Sequence, residues 1–375
     1  MLRSQELGMI KIEPAENIAD GTDWRSFNEL RCELKRRALE EGGIQMEMMQ
    51  TRRRFLGAAA LAGAADILTP RCGWAAESAL ETTTVRFSKM PIICFAQQYV
   101  CEALLRAEGF TDVRYIDTTI QVVSEDLGSG KFDFSANLSL AYATAIDRGL
   151  PITVVTGLHA GCYELFAHGD IRGITDLKGK HVGQLGTPEL ISMMAAYVGL
   201  DPKKDFTLVD SRAANPVDLF AEGKLDAYLA FPPEVQELHA RKVGHVILKT
   251  AADPPWSQYF CCMMAANRDY ATRYPVATKR VIRAVLKAAD LCANQPEVVA
   301  RQLVEGGFAT RYDYALQTLT ENPYRVWREY DAEDTMRFYA LRMHELGMIK
   351  STPKEIIANG TDWRFLNEVK RELKA

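Results

Sequence analysis

Between residues 84 and 155 short apolar runs alternate with helical segments, and that order constrains the fold more than any other feature. Residues 84–88 predict a strand, and Pro91 suits the first position of a helix striped with Ile92, Phe95, Ala96, Tyr99, Ala103 and Leu104. Gly109 ends that helix, 112–116 predict a second strand and 119–127 a second helix. Phe132 to Phe134 then form a short buried strand, a small-residue helix runs to Gly149, and Pro151 opens a strand at 152–155. Such an order implies a mostly parallel sheet with helical crossovers. Ser135 and Asn137 stand at a strand-to-helix junction, where short polar side chains cap a helix whose first N–H groups are open. In open α/β sheets ligands bind at such carboxyl ends of strands.

Residues 158–168 read as an extended segment leaving this first unit, and a second α/β pattern follows. A turn from Asp176 to Lys180 feeds a strand at 181–185. Gly186 follows, then Thr187 as a helix cap and Pro188 at the first helical position. Residues 206–210 predict a strand, Asn215 and Pro216 a capped helix start, and 225–231 a strand ending in Pro232, Pro233 and Glu234. Residues 245–249 close this unit, and 256–264 (WSQYFCCMM) predict a strand returning to the first. Beyond lies a helical tail. Its long helix from Pro275 carries Val281, Ile282, Val285, Leu286 and Ala289, and Thr352 to Glu355 form a capping box. One lobe is thus expected from 82–158 with 257–375, and the other from 164–250.

Residues 2–35 align without a gap to 341–374, about two positions in three being identical. No further repeat occurs, so 1–45 is read as a copied tail of a related protein or a misplaced start, with an added helical arm as the alternative. Residues 46–76 read as an export signal. Thr51 to Leu56 (TRRRFL) looks like a twin-arginine motif, a modest apolar segment follows, and Gly73 and Ala75 suit a cleavage site. The 375 residues are 47% hydrophobic and 25% charged with a net charge of −4. They show no basic stripe with interleaved aromatics, which speaks against nucleic acid. No apolar run reaches the roughly 20 residues that span a bilayer, so no membrane insertion is expected.

Four stretches carry a family likeness: GKFDF at 130–134, AIDRGLPI at 145–152, DLKGKHVG at 176–183 and EGKLDA at 222–227. In this order, with two lobes crossed twice and an export signal, the chain resembles ABC-transporter periplasmic solute-binding proteins. The likeness is to the nitrate/sulfonate/taurine group, which includes relatives of thiamine-pyrimidine-precursor binders, and covers about residues 82–375. It implies a periplasmic binding protein type II fold: two α/β lobes, two crossover segments and a helical C-terminal tail. The implied function is capture of a small nitrogen- or sulfur-containing molecule in the periplasm. Delivery would be to an ABC permease with a cytoplasmic ATPase, by a monomer that needs no cofactor.

The cleft should be lined by Lys89, Met90, Pro91, Ser135 and Asn137 from one lobe, and by Gly186, Thr187, Phe231, Pro232 and Glu234 from the other. Helix starts suit a carboxylate, sulfonate or nitrate. Asn137 and Glu234 instead suit an amine or a ring nitrogen. An enzyme reading finds little: His159, His168, His181, His239, His245 and His344 lack metal-ligand spacing, and Ser88, Ser135 and Ser257 lack a G-x-S-x-G context. The alternatives are a cofactor-free enzyme on the same bilobal fold, thiamine-pyrimidine-synthase-like or chorismate-dehydratase-like, and a periplasmic ligand sensor. Cys162 and the pair Cys261 and Cys262 fall on the two inter-lobe segments, where either a bridge or buried free thiols is open. A chain begun at Met48 is expected to be exported and to melt at the temperature of the full chain; a loss of several kcal/mol from the roughly 5–15 of a domain would make 1–45 structural.

Overall fold

The computed structural model describes residues 78–184, 189–209 and 215–374. The expectations for 1–45 and 46–76, and those for Gly186 and Thr187, lie outside the described residues. Among the described residues ten strands are present: β1 (Thr84–Lys89), β2 (Asp112–Asp117), β3 (Phe134–Leu138), β4 (Ile152–Ala160), β5 (Glu164–Ala167), β6 (His181–Gln184), β7 (Thr207–Val209), β8 (Ala227–Ala230), β9 (His245–Lys249) and β10 (Phe260–Asn267). They form two five-stranded sheets, ordered β2-β1-β3-β10-β4 and β7-β6-β8-β5-β9.

Each sheet holds one strand that runs against its neighbours. β1 is parallel to β2 and β3, whereas β10 is antiparallel to β3 and β4. In the second sheet β6 is parallel to β7 and β8, whereas β5 is antiparallel to β8 and β9. Both odd strands are the first that the chain makes after crossing from the other lobe. A strand that enters from the facing lobe arrives opposite to the strands of its new sheet, so the double crossing dictates the mixed pattern.

The crossings are short and pressed together. Only Gly161, Cys162 and Tyr163 separate β4 from β5, and Gly161 and Cys162 both take positive φ, 74° and 109°. A Cβ on Gly161 would lie 2.7 Å from the Ala251 Cα on the returning segment, so glycine permits the close passage. Thr250 ties the two segments: its N–H donates to the Tyr163 carbonyl at 2.9 Å, and the Tyr163 N–H donates to its hydroxyl at 2.9 Å.

Several local expectations change. The helix from Pro91 is broken into a 3-10 turn, Ile93–Phe95, and two short helices, Ala96–Tyr99 and Glu102–Ala107. Its side chains serve the strand ends instead: Gln98 donates to the Ser88 carbonyl and accepts from the Ala136 N–H. The second helix is Val123–Gly128, and the returning strand starts at Phe260 after a 3-10 turn at Trp256–Gln258. Asn215 does cap its helix, accepting from Val217 N–H at 3.0 Å with Pro216 at the first position. The long helix Pro275–Asn294 buries the expected stripe, and Thr352 and Glu355 cap reciprocally.

The tail reaches both lobes. Ala332–Glu345 packs on Ser139–Asp147 of the first lobe and on Glu189–Tyr197 of the second, and Tyr312–Glu321 meets Glu234–Arg241. One apolar cluster therefore runs from the first sheet into one face of the second, while Phe166, Val217, Phe220, Leu225, Tyr228, Ala230, Val235 and Leu238 fill the other face. At the β4–β10 seam, a Cβ on Gly157 would lie 2.4 Å from the Phe260 ring. Gly157→Ala is expected to lower stability by about 1–3 kcal/mol in urea melts, as overpacking does. Gly173→Ala, where a Cβ meets nothing within 4 Å, should change it little.

Candidate ligand cleft

The residues expected at the cleft separate into two groups. In the second lobe, Phe231 leaves β8 and its ring lies 5.5 Å from that of Tyr163 on the crossover. The Pro232-Pro233 peptide is cis, and the Glu234 N–H closes the turn on the Phe231 carbonyl at 2.9 Å. The helix Glu234–Arg241 starts there. The structure thus gathers Phe231, Pro232 and Glu234 beside the crossover. Tyr228 donates to Glu234 Oε2 at 2.5 Å.

In the first lobe Lys89 ends β1, with its ammonium 5.3 Å over the Phe308 ring. Met90 is buried with both backbone groups on the Tyr99 hydroxyl, and Pro91 is exposed. Ser135 and Asn137 are not helix caps. Both lie inside β3, and the helix Ser139–Asp147 starts after Leu138 without a side-chain cap. The Ser135 hydroxyl pairs with that of Ser88 at 2.7 Å, joining β1 to β3. Asn137 Nδ2 donates to the Ser124 hydroxyl at 3.2 Å, and its Oδ1 accepts from the Leu138 N–H at 2.8 Å. The strand ends four residues later than the sequence suggests because β10 pairs with it as far as Leu138.

Other buried polar groups belong to the first lobe. Gln97, fully buried on Ala96–Tyr99, has no hydrogen-bond partner at either amide atom. His159, on β4, gives Nδ1 to the Ala160 carbonyl at 3.1 Å and leaves Nε2 without a partner. Its ring lies 5.4 Å from that of Tyr324, whose buried hydroxyl also lacks a partner. Around His159 stand buried thiols. Cys94, His159 and Cys262 bring one ligand atom each within 4.8 Å of one another, as do Cys162, Cys261 and Cys262. All six cysteines of the described residues are free and buried, and the Cys162 and Cys261 sulfurs are 3.1 Å apart. Hydrogen bonds with Cys162 and Cys262 draw the Cys94 thiol well below its ordinary range, whereas burial pushes Cys162 up. The sequence offered one clue to this cluster, the side-by-side course of the inter-lobe segments. The register that sets Cys262 opposite His159 is a property of the ladder.

Burial pushes the Glu234 carboxyl up to about 7, against the lowering effect of the Tyr228 hydroxyl. Between the unfolded value of 4.5 and the folded one the native chain holds the extra proton, so stability falls as pH rises through that window and levels above it. Glu234→Gln stays neutral and removes the slope. The stability gap between variant and parent is expected to move by about 2–3 kcal/mol from pH ~4.5 to ~8 in urea melts; parallel curves would refute the buried, neutral carboxyl.

Among the described residues no helix is long and apolar enough to cross a membrane. The chain is similar in sequence to the 4-amino-5-hydroxymethyl-2-methylpyrimidine phosphate synthase THI12 of Saccharomyces cerevisiae, 25% identical over 203 residues. That match covers 49% of this chain and 58% of the yeast protein, so the chain spans little more than half of the relative. In structure it is similar to the periplasmic nitrate-binding protein NrtA from Synechocystis PCC 6803, with a TM-score of 0.67 at 15% identity over 79% of this chain and 90% of that one. It is similar also to the alkanesulfonate-binding protein SsuA from Xanthomonas axonopodis pv. citri bound to MOPS, with a TM-score of 0.62 at 18% identity over 76% of this chain and all of that one. These likenesses give the bilobal periplasmic-binding-protein fold. A family model described as NMT1/THI5 like matches residues 107–299, about half of the sequence, and the chain belongs to that family.

Proposed function

We propose that the protein is a periplasmic solute-binding protein. In this reading it captures a small nitrogen- or sulfur-containing molecule between its lobes and passes it to an ABC permease driven by a cytoplasmic ATPase. The observation that carries the reading is a pair of α/β lobes joined by short crossovers, each lobe holding a buried polar group. Gln97 in the first lobe is buried without a partner, and in the second the Glu234 carboxyl, pushed up to about 7 by burial, follows Phe231, whose ring lies 5.5 Å from that of Tyr163. A site with contacts from both lobes gives closure its differential energy. Lys89, Met90, Phe231, Pro232 and Glu234 are the expected residues kept in this cleft, and Gln97 is added. Asn137 and Ser135 support the strands behind it.

Raised to about 7, the Glu234 carboxyl donates a hydrogen bond when protonated and accepts one when ionised, and aromatic rings stack on a planar ligand. This combination favours a planar nitrogen heterocycle or a zwitterion over a bare anion. The yeast likeness favours a second reading, an enzyme acting on such a heterocycle, and the same experiment separates them. Nitrate, taurine and longer sulfonates, aminopyrimidines and small carboxylates are titrated into the purified chain by calorimetry. One class is expected to bind and to be recovered unchanged. Gln97→Ala and Glu234→Ala should each weaken it by about 1–3 kcal/mol, the range for stranding a buried polar partner. Asn137→Ala should lower the melting temperature more than the affinity. Conversion of the ligand would establish the enzyme, and failure of every class to bind would end the transport reading.

A further inference from the structure

We propose that Cys94, His159 and Cys262 form a buried site for a thiophilic d10 cation, copper(I) or zinc(II), at the seam between the lobe crossovers. Three separate parts of the first lobe converge there. His159 lies near the end of β4, Cys262 faces it across the ladder on β10, and Cys94 comes from the turn after β1. Their exposures are 0%, 0% and 2%, and their ligand atoms lie within 4.8 Å of one another.

The imidazole is already arranged as a ligand. The carbonyl of Ala160 can only accept, so the Nδ1 atom 3.1 Å from it carries the ring proton. The Nε2 atom is wholly buried and makes no hydrogen bond of ordinary geometry, the thiols of Cys94 and Cys262 being its polar neighbours. A buried acceptor without a partner is costly, and a cation would satisfy it. Ligating histidines are commonly oriented in this way, with the far nitrogen held by a carbonyl.

The donor set selects the ion. Two sulfurs and one nitrogen, with no carboxylate in the group, suit soft or borderline cations and not calcium or magnesium. Metal–sulfur bonds of about 2.3 Å and metal–nitrogen bonds of about 2.0 Å put ligand atoms roughly 3.5–4 Å apart. From separations within 4.8 Å, the cluster reaches that spacing by a contraction of roughly 1 Å. Two thiol protons leave to solvent as two metal–sulfur bonds form, and nothing is oxidised or reduced. Copper(I) is content with these three ligands. Zinc prefers a fourth, and two further thiols stand by to supply one: Cys261, whose sulfur is 3.8 Å from that of Cys262, and Cys162, which groups with both.

The full chain, reduced and stripped with a chelator, is titrated with copper(I) and separately with zinc(II) against chromophoric competitors, and cobalt(II) serves as a spectroscopic probe. About one equivalent should bind, and cobalt should give a thiolate charge-transfer band. His159→Gln and Cys262→Ser should each weaken binding at least about tenfold. Cys292→Ser, which alters a buried thiol outside the cluster, should not. Tight copper with weak zinc indicates the three-ligand site, and equal affinity the four-ligand one. X-ray absorption of the loaded parent protein keeps the test independent of folding in the variants: sulfur and nitrogen in the first shell support the site, and oxygen alone overturns it. Absence of uptake by the reduced chain, or uptake unchanged in both ligand variants, also overturns it.

Discussion

β4 and β10 hold one another, and the placement of the rest follows from that pairing. Their antiparallel register runs from Asn267 opposite Ile152 to Phe260 opposite Ala160, and every residue of both strands is buried. In such surroundings an unmade backbone hydrogen bond is expensive, so the ladder resists sliding. Irregularities near Cys262 and Met264 bend it, and Phe260 folds its ring over Gly157. With three residues between β4 and β5, the second sheet has little freedom in how it leaves the first. The clasp of Thr250 on Tyr163 removes more of that freedom.

Contacts away from the seam are of another kind. The second lobe meets the returning segment and the tail through rings and a guanidinium: Tyr197 meets Trp256 edge-on at 5.9 Å, and Arg342 lies 5.9 Å over the Tyr197 ring. Tyr197 is still 51% exposed. Half-exposed aromatic contacts contribute about 0.5–1.5 kcal/mol each, far less than a buried strand pair. The seam therefore fixes how the second sheet leaves the first, while the apolar cluster they share and these ring contacts join them elsewhere.

How much of this was legible depended on how local the signal was. Asn215 with Pro216, and Thr352 with Glu355, were readable because a cap and its helix lie within four residues. The stripe of Pro275–Asn294 was readable for the same reason, its period being set within one helix. Asn137 misled because local chemistry favours a cap, while a strand 126 positions later, at Met263, claims it for the sheet. The helix after Pro91 misled likewise: Gln98 and Tyr99 are drawn to the ends of β1 and β3, and the stripe breaks. The thiol cluster was the hardest to see, since Cys94, His159 and Cys262 share no period and meet only through tertiary register.

The fold by itself does not choose between a carrier and a catalyst, since activity resides in the site that a fold presents. What distinguishes the two is where rigid and yielding parts lie. Catalysis needs reacting groups held in near-final geometry, whereas a carrier needs a cleft whose walls approach and part. Here the tightest geometry lies in the seam, where Cys94, His159 and Cys262 meet. Phe231 and Glu234 stand on the far lobe, across short crossings. A cation at the seam would join β4, β10 and the turn after β1 without touching the second lobe. It would stiffen the seam and leave Phe231 and Glu234 free of the ion, as the proposed carrier requires.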